Sequence, residues 1–389
     1  MITLAVAGKP NSGKSTFYTA ATMAPAEIAN YPFTTIDANH GVAAVRVDCP
    51  CRDLGVECHE CTDGVRYVPV GLIDVAGLVP EAHLGKGLGN QFLDHLRQAD
   101  AIIHVVDASG GTDTEGNPVG VGNHDPRLDM AFLPREMSMW VHGILSRHWD
   151  KLRRQAQQRE FSLEAGVADV LAGHGMTREK VREAEQSLGI PLEACSGDDL
   201  VRFASHLVAV SKPMMVAANK ADEAPDRCLD ILADEHIVFT SAVSELALRK
   251  AAEAGFVRYL PGDRSFSMVD EASLSPPQRA GLDRIAGVME RLGGTGVQQA
   301  IQEAVFSLLD LIVVFPVEDE HHMTDGNGRV LPDAFLLPRG AGPRDLAHRV
   351  HTAIGEGFLY AVDARSGMRI KDTTELQSGD VIKIVSTAR

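Results

Sequence analysis

The chain has 389 residues, 44% hydrophobic and 23% charged, which is too long for one ordinary domain and matches a soluble globular composition. A formal net charge of −16 excludes a chain that coats nucleic acid by bulk charge, though it leaves room for a local basic patch. No stretch reaches the length of a membrane span, and four of the six cysteines bunch between Cys49 and Cys61 instead of spreading as a disulfide framework, which points to a reducing cytoplasm.

In chain order, residues 2–7 form an apolar run without a basic leader and read as a first strand, not a signal peptide. Gly8-Lys9-Pro10-Asn11-Ser12-Gly13-Lys14-Ser15 follows it directly and fits G-x-x-x-x-G-K-[ST], with Thr16 opening a helix-like run. Strand before and helix after are the context this motif needs: glycines let the backbone wrap phosphates, and N–H groups at the helix start face the anion. Lys14 then reaches the β- and γ-phosphates and the Ser15 hydroxyl coordinates Mg²⁺. Asn30-Tyr31-Pro32-Phe33-Thr34-Thr35 lies before the second strand, 41–47, where a switch loop supplies a threonine to Mg²⁺; Thr35 is preferred over Thr34.

Cys49-x-Cys51-x₆-Cys58-x₂-Cys61 brackets a turn before the third strand, 68–74. Three readings stand for these residues: a closed tetrahedral Zn²⁺ site, with His59 able to replace a ligand, reduced thiols in a hairpin loop, or a redox-labile pair. Asp74-Val75-Ala76-Gly77 ends the third strand, so Asp74 is placed to hold the Mg²⁺ hydration shell and Gly77 to offer its N–H to the γ-phosphate. The glycine-rich run 85–89 suits a segment that changes shape with nucleotide state. The fourth strand, 101–107, carries His104, either a polar group for the site or a satisfied core histidine.

A long insertion from about residue 110 to 212 has helical patterning at 133–152 and 177–188. Within it Arg147, Lys151, Arg153, Arg154 and Arg159, with His148 and Trp149 among them, form a basic run that is either an RNA-backbone contact or a solvated helix face. The fifth and sixth strands, 214–219 and 237–240, end in Asn219-Lys220-Ala221-Asp222 and Thr240-Ser241-Ala242. A carboxylate at Asp222 accepts both N1–H and the 2-amino group of guanine, a pattern adenine does not offer. Asn219 ties that loop to the phosphate loop, the Lys220 stem covers the base, and the Ser241–Ala242 backbone meets guanine O6. Helices follow at 277–292 and from 296 to about 311, and then a tail with strands at 312–317, 358–362 and 381–385, a turn at 325–328 and a helix near 343–353.

These stations, in this order, resemble the nucleotide boxes of translation-factor-related GTPases. Asn30 to Thr35, Asp74 to Val79, Gly87-Leu88-Gly89-Asn90-Gln91-Phe92 and Ser241 to Leu248 resemble the Obg family, YchF-like branch, in its archaeal form, over nearly the whole chain. Val330 to Leu337 and Gly379-Asp380-Val381-Ile382 resemble a TGS domain, a small β-grasp module. The resemblance implies a Ras-like P-loop α/β domain over 1–110 and 212–305, a helical, coiled-coil-like insertion over 111–211 and a TGS domain over 306–389. It also implies GTP, Mg²⁺ and an association with ribosomes through the insertion and the tail. Bacterial relatives of this kind lack the Asn-Lys-x-Asp box and prefer ATP; the box is intact here, which favours GTP and keeps ATP as the alternative.

After Asp-x-x-Gly many GTPases place a glutamine that orients water, whereas this chain has Leu78, so slow turnover is expected. Asn11 occupies the place where potassium-stimulated relatives hold K⁺ beside the phosphates; it either does so or braces the loop. A nucleotide-gated binding module with negligible turnover is the remaining alternative.

Overall fold

A computed structural model of the chain describes residues 1–23, 40–75, 77, 96–157, 161–232 and 237–387. Thr35, Leu78, the 85–89 glycine run and Arg159 lie outside these residues. Strands β1 (Thr3–Ala7), β2 (His40–Asp48), β3 (Val65–Asp74), β4 (Ala101–Asp107), β5 (Met214–Asn219) and β6 (Ile237–Phe239) form one sheet in the order β2-β3-β1-β4-β5-β6. All neighbours are parallel except β2, which runs antiparallel to β3 with His40 opposite Ile73 and Asp48 opposite Val65. Every residue of β4 is buried, the signature of a central parallel strand covered on both faces. The parallel strands therefore deliver their C-terminal ends, and the loops after them, to one edge of the sheet, where ligands of open α/β sheets bind.

The insertion is helical and buries apolar side chains. Its Leu133, Val141, Leu145, Trp149, Val167, Leu171, Phe203 and Leu207 are buried together, in one cluster with Ala5, Ala7, Ile73 and Ile102 of the sheet. Its elements are a helix Pro126–Ala156 and three more, Leu163–Leu171, Arg178–Leu188 and Gly197–Ser211. The first starts where Asp125 accepts the Arg127 N–H and Pro126 fills the first helical position, whose N–H would be unpaired anyway. Trp149 belongs to this core, whereas Arg147, Lys151, Arg153 and Arg154 are exposed; the basic run is a charged face without an aromatic in it.

A small antiparallel pair, β7 (Val257–Arg258) and β8 (Ser267–Met268), precedes the helix Pro276–Leu292. The next helix, Val297–Gln302, continues as a π-helical stretch to Leu308. The tail starts at β9 (Leu311–Val317), followed by β10 (Phe335–Pro338), the helices Pro343–Val350 and Thr352–Glu356, β11 (Phe358–Asp363), β12 (Met368–Ile370) and β13 (Asp380–Ser386). Their sheet order is β10-β9-β13-β11-β12, with β9 and β13 parallel at its centre. The helix Pro343–Val350 crosses this sheet and buries Leu346 and Ala347 against Ile312, Val314 and Ile382, the arrangement of a β-grasp. The tail also docks on the first sheet: Arg66 of β3, 4% exposed, donates to the Leu331 and Pro332 carbonyls at 3.0 and 2.7 Å.

Candidate functional site

The loop after β1 is shaped by two positions that admit no side chain. Gly8 (φ 151°) would place a Cβ 2.3 Å from the Val105 carbonyl oxygen, and Gly13 (φ 94°) would place one 2.2 Å from Asn219 Nδ2. Gly13 caps the helix Lys14–Thr22, whose first turn contains no acidic residue, leaving its N–H groups free to face an anion. Lys14 Nζ donates to the Lys9 carbonyl at 2.6 Å. Burial lowers its pKa to about 8 against the opposing pull of Asp74. Such a lysine gains a great deal from an incoming phosphate, which restores the charge that burial disfavours.

Ser15 Oγ donates to Asp74 Oδ2 at 3.3 Å. Burial raises the Asp74 carboxyl, and the Ser15 hydroxyl and Lys14 offset only part of that. A hydroxyl and a carboxylate meeting beside the phosphate loop fit a hard cation with oxygen ligands, so both of these expected Mg²⁺ residues are brought together. Thr35 lies outside the described residues. Gly77 sits against the loop: a Cβ there would lie 3.2 Å from both Lys14 Nζ and Pro10.

On the base side, one side chain ties three segments. Asn219 Nδ2 donates to the Ser12 carbonyl at 3.0 Å, while its Oδ1 accepts from the Ala242 N–H at 3.0 Å and from Thr240 Oγ1 at 3.3 Å. Lys220 (φ 59°) is held by Asp107 Oδ2 at 2.8 Å, and Arg291 donates to the Ala221 carbonyl. Burial alone raises the Asp107 carboxyl, but hydrogen bonds from Lys220, Ser109 and Thr112 outweigh it and hold the group charged. The Oδ1 of Asp222 is buried and has no hydrogen-bond partner among the described residues. A buried acceptor without a donor costs roughly 1–3 kcal/mol, which a ligand with N–H groups recovers. Ser241 starts the helix Ala242–Glu253 by accepting the Ser244 N–H, leaving the 241–242 turn beside that acceptor's loop.

Two expectations are corrected. Lys9, expected to touch nucleotide, is 2% exposed, and its ammonium is fully used: it donates to the Thr112 and Asp113 carbonyls, each at 2.8 Å, and pairs with Asp129 at 2.6 Å. Only its backbone is left for a ligand. His104, offered as a catalytic group, is 2% exposed in mid-strand, paired in register with Ala7 and Val216. Burial, helped by the Lys14 charge, depresses its pKa to about 3, so it is a neutral histidine enclosed in the core. Asn11 (φ 59°) donates its Nδ2 to the Gly116 carbonyl at 3.1 Å, so at least its amide nitrogen braces the loop.

Sequence reasoning missed Asp107, Asp129 and a buried network behind the base loop. There Glu245 accepts from Arg249, Tyr259 and Thr295, and Arg249 also donates to the Met23 carbonyl at 2.6 Å. The lysine inside the phosphate loop was a signal: a long cation in a loop that folds over itself needs a carboxylate. The four cysteine sulfurs converge within 4.8 Å of one another.

Among known proteins, residues 3–127 match a family model described as a 50S ribosome-binding GTPase. Residues 217–319 match the Obg-like GTPase YGR210-like, G4 motif-containing domain, and 327–386 the TGS domain. A GTP-binding protein of Methanocaldococcus jannaschii is 47% identical over the whole of both chains. A GTP-binding protein of Schizosaccharomyces pombe is 36% identical over 87% of each. The ribosome-binding ATPase YchF of Haemophilus influenzae is 32% identical over 92% of this chain and 86% of its own. The crystal structure of a GTP-binding protein from Pyrococcus horikoshii superposes with a TM-score of 0.78 at 41% identity, covering both chains fully.

Two outcomes follow. Replacing Lys9 with Met leaves the buried Asp129 with His124, 2.9 Å away, as its remaining side-chain partner and costs about 3 kcal/mol at pH 8. Burial already raises the Asp129 carboxyl, so without Lys9 it takes up a proton more readily, and denaturant titrations show the loss shrinking as pH falls from 8 to 5. For His104 the folded pKa of about 3 lies below the unfolded value, so only the unfolded chain gains this proton as pH falls. Stability therefore declines below pH ~6.5 by up to about 1.4 kcal/mol per unit from this site, and His104→Leu flattens that slope.

Proposed function

We propose that this chain, which belongs to the YchF-like branch of the Obg family of P-loop GTPases, is a nucleoside triphosphate hydrolase that reads guanine and works as a ribosome-associated switch. The observation that carries the guanine reading is the buried, unpartnered Oδ1 of Asp222 in a loop that Asn219 fastens to the phosphate loop. Guanine offers two adjacent donors to such a carboxylate and adenine offers none in that arrangement. Relatives described as GTP-binding at 47% and 36% identity support this reading, and the ATPase description of the bacterial relatives is the reason to test it.

In this reading the Gly8–Ser15 backbone, with Thr16 in the helix's first turn, cradles the phosphates, and Lys14 leaves the Lys9 carbonyl for the β- and γ-oxygens. Ser15 and Asp74 hold Mg²⁺ or its water, joined by Thr35 from the switch segment. Gly77 beside Lys14 donates its N–H to the γ-phosphate. Mg²⁺ supplies charge neutralisation of the phosphates when bound. With His104 buried and Leu78 apolar, neither supplies a general base, and charge stabilisation from outside the chain would support hydrolysis. K⁺ held by Asn11 is one source, and a ribosomal partner is the other. The exposed Arg147, Lys151, Arg153 and Arg154 face suits phosphate backbone contacts. No helix among the described residues is long and apolar enough to cross a membrane.

Calorimetric titration of nucleotide-free protein in Mg²⁺ is expected to give GDP an affinity at least about tenfold above ADP. Asp222→Ala is expected to erase the difference; equal or tighter ADP binding by the unaltered chain rejects the guanine reading. Multiple-turnover phosphate release is expected to run about tenfold or more faster in K⁺ than in Na⁺. Equal rates make Asn11 a brace only, and no turnover in either salt leaves a nucleotide-gated binder.

A further inference from the structure

Between β2 and β3 the chain makes a knuckle that plays no part in nucleotide binding. Cys49 follows the last residue of β2, Cys51 opens a one-turn helix, Cys51–Leu54, and Cys58 and Cys61 lie on the return to β3. The Sγ atoms are 3.6 Å apart for Cys49 and Cys58, 3.6 Å for Cys51 and Cys61, and 3.4 Å for Cys58 and Cys61. These separations are far too long for a disulfide, whose sulfurs lie ~2.05 Å apart, and all six cysteines are free thiols. They approach the edge of a tetrahedron around a Zn²⁺ ion, which Zn–S bonds of ~2.3 Å make about 3.8 Å. His59 is exposed and is not among the converging groups, so the set is four sulfurs with no open position.

Backbone donors face two of the four sulfurs. The Cys51 and Glu60 backbone N–H groups donate to the sulfurs of Cys49 and Cys58, which orients ligands and disperses their charge. Both ends of the loop are tied: the Cys49 N–H donates to the Gly64 carbonyl at 2.8 Å and Arg52 Nη2 to the Asp63 carbonyl at 2.7 Å. Its interior offers little apolar surface beyond the half-buried Leu54 and Val56. A loop this poor in core needs another source of order, and a metal crosslink supplies one.

The knuckle also has a place in the architecture. Cys49 and Cys51 are buried in the same cluster as Val313, Phe315 and Val381 of the tail sheet. Asp53 lies 3.9 Å from Arg365 of the tail. On the same hairpin Arg66 donates to the two tail carbonyls described above. We propose that Cys49, Cys51, Cys58 and Cys61 form a structural tetrathiolate Zn²⁺ site whose rigid knuckle docks the C-terminal β-grasp domain onto the edge of the nucleotide-binding sheet.

The full chain, purified under reducing conditions and analysed by plasma mass spectrometry, is expected to hold about one zinc per chain. Exchange with Co²⁺ is expected to give sulfur-to-cobalt charge transfer and the intense red d–d bands of a tetrahedral thiolate site. Removing the metal from the unaltered chain with a mercurial and a chelator is expected to speed amide exchange in 311–317 and 380–386 about tenfold, reversibly on adding zinc and reductant. GDP affinity stays within about twofold, since no ligand belongs to the nucleotide site. The double variant Cys58→Ser, Cys61→Ser is expected to match the stripped protein. Less than about 0.1 zinc per chain with no uptake of added zinc overturns the site, as do thiols found oxidised in the native protein. Unchanged tail exchange after full metal loss overturns the docking role.

Discussion

The nucleotide site rests on a single carboxamide. Asn219 is 3% exposed, and its side chain joins the phosphate loop at Ser12, the base loop in which it sits, and the start of the Ala242–Glu253 helix. In a buried setting each of those bonds is stronger than in water and each is costly to leave unmade. The contact also dictates sequence around it. Its nitrogen lies where a Gly13 side chain would be, so the glycine of the phosphate motif serves the base loop as much as the phosphates. Phosphate and base recognition are thus one rigid unit, set on the C-terminal ends of parallel strands.

That unit leaves its ligand-facing groups deliberately unsatisfied. Lys14 makes do with a carbonyl of its own loop, the Asp74 carboxyl is raised by burial, and Asp222 Oδ1 has no donor. The groups behind them are saturated instead: Asp107, Glu245 and Lys9 each make several hydrogen bonds or ion pairs. The contrast separates residues that meet a ligand from those that hold the frame, and burial together with a full complement of partners is what removes His104 and the Lys9 side chain from the first group.

Much of this was legible in the sequence because the central strands are uninterrupted apolar runs ending in charged or amide residues. Strand β4 was read at its full extent for that reason. The four-residue β10 and three-residue β12 were not read as strands, since runs that short have no period and their places are set by neighbours in the sheet. The helix Gly197–Ser211 was missed although its signal was present: Ser196 and Asp199 form a capping box at its start. The Mg²⁺ pair Ser15–Asp74 and the Asn219 tie followed from motif order. Asp129 and Glu245 did not, because a buried ionic contact between positions more than a hundred apart, or a four-way network, leaves no local pattern.

The pairing of Lys9 with Asp129 has a mechanical consequence. Asp129 sits in the first turn of the helix Pro126–Ala156, so that helix is fastened by one end to the phosphate loop. At 31 residues it extends about 46 Å, and the basic side chains lie toward its far end. Through that pair the phosphate loop and the basic end of the helix belong to one continuous element, so any tilt of its first turn would be largest where the chain carries its exposed positive charge.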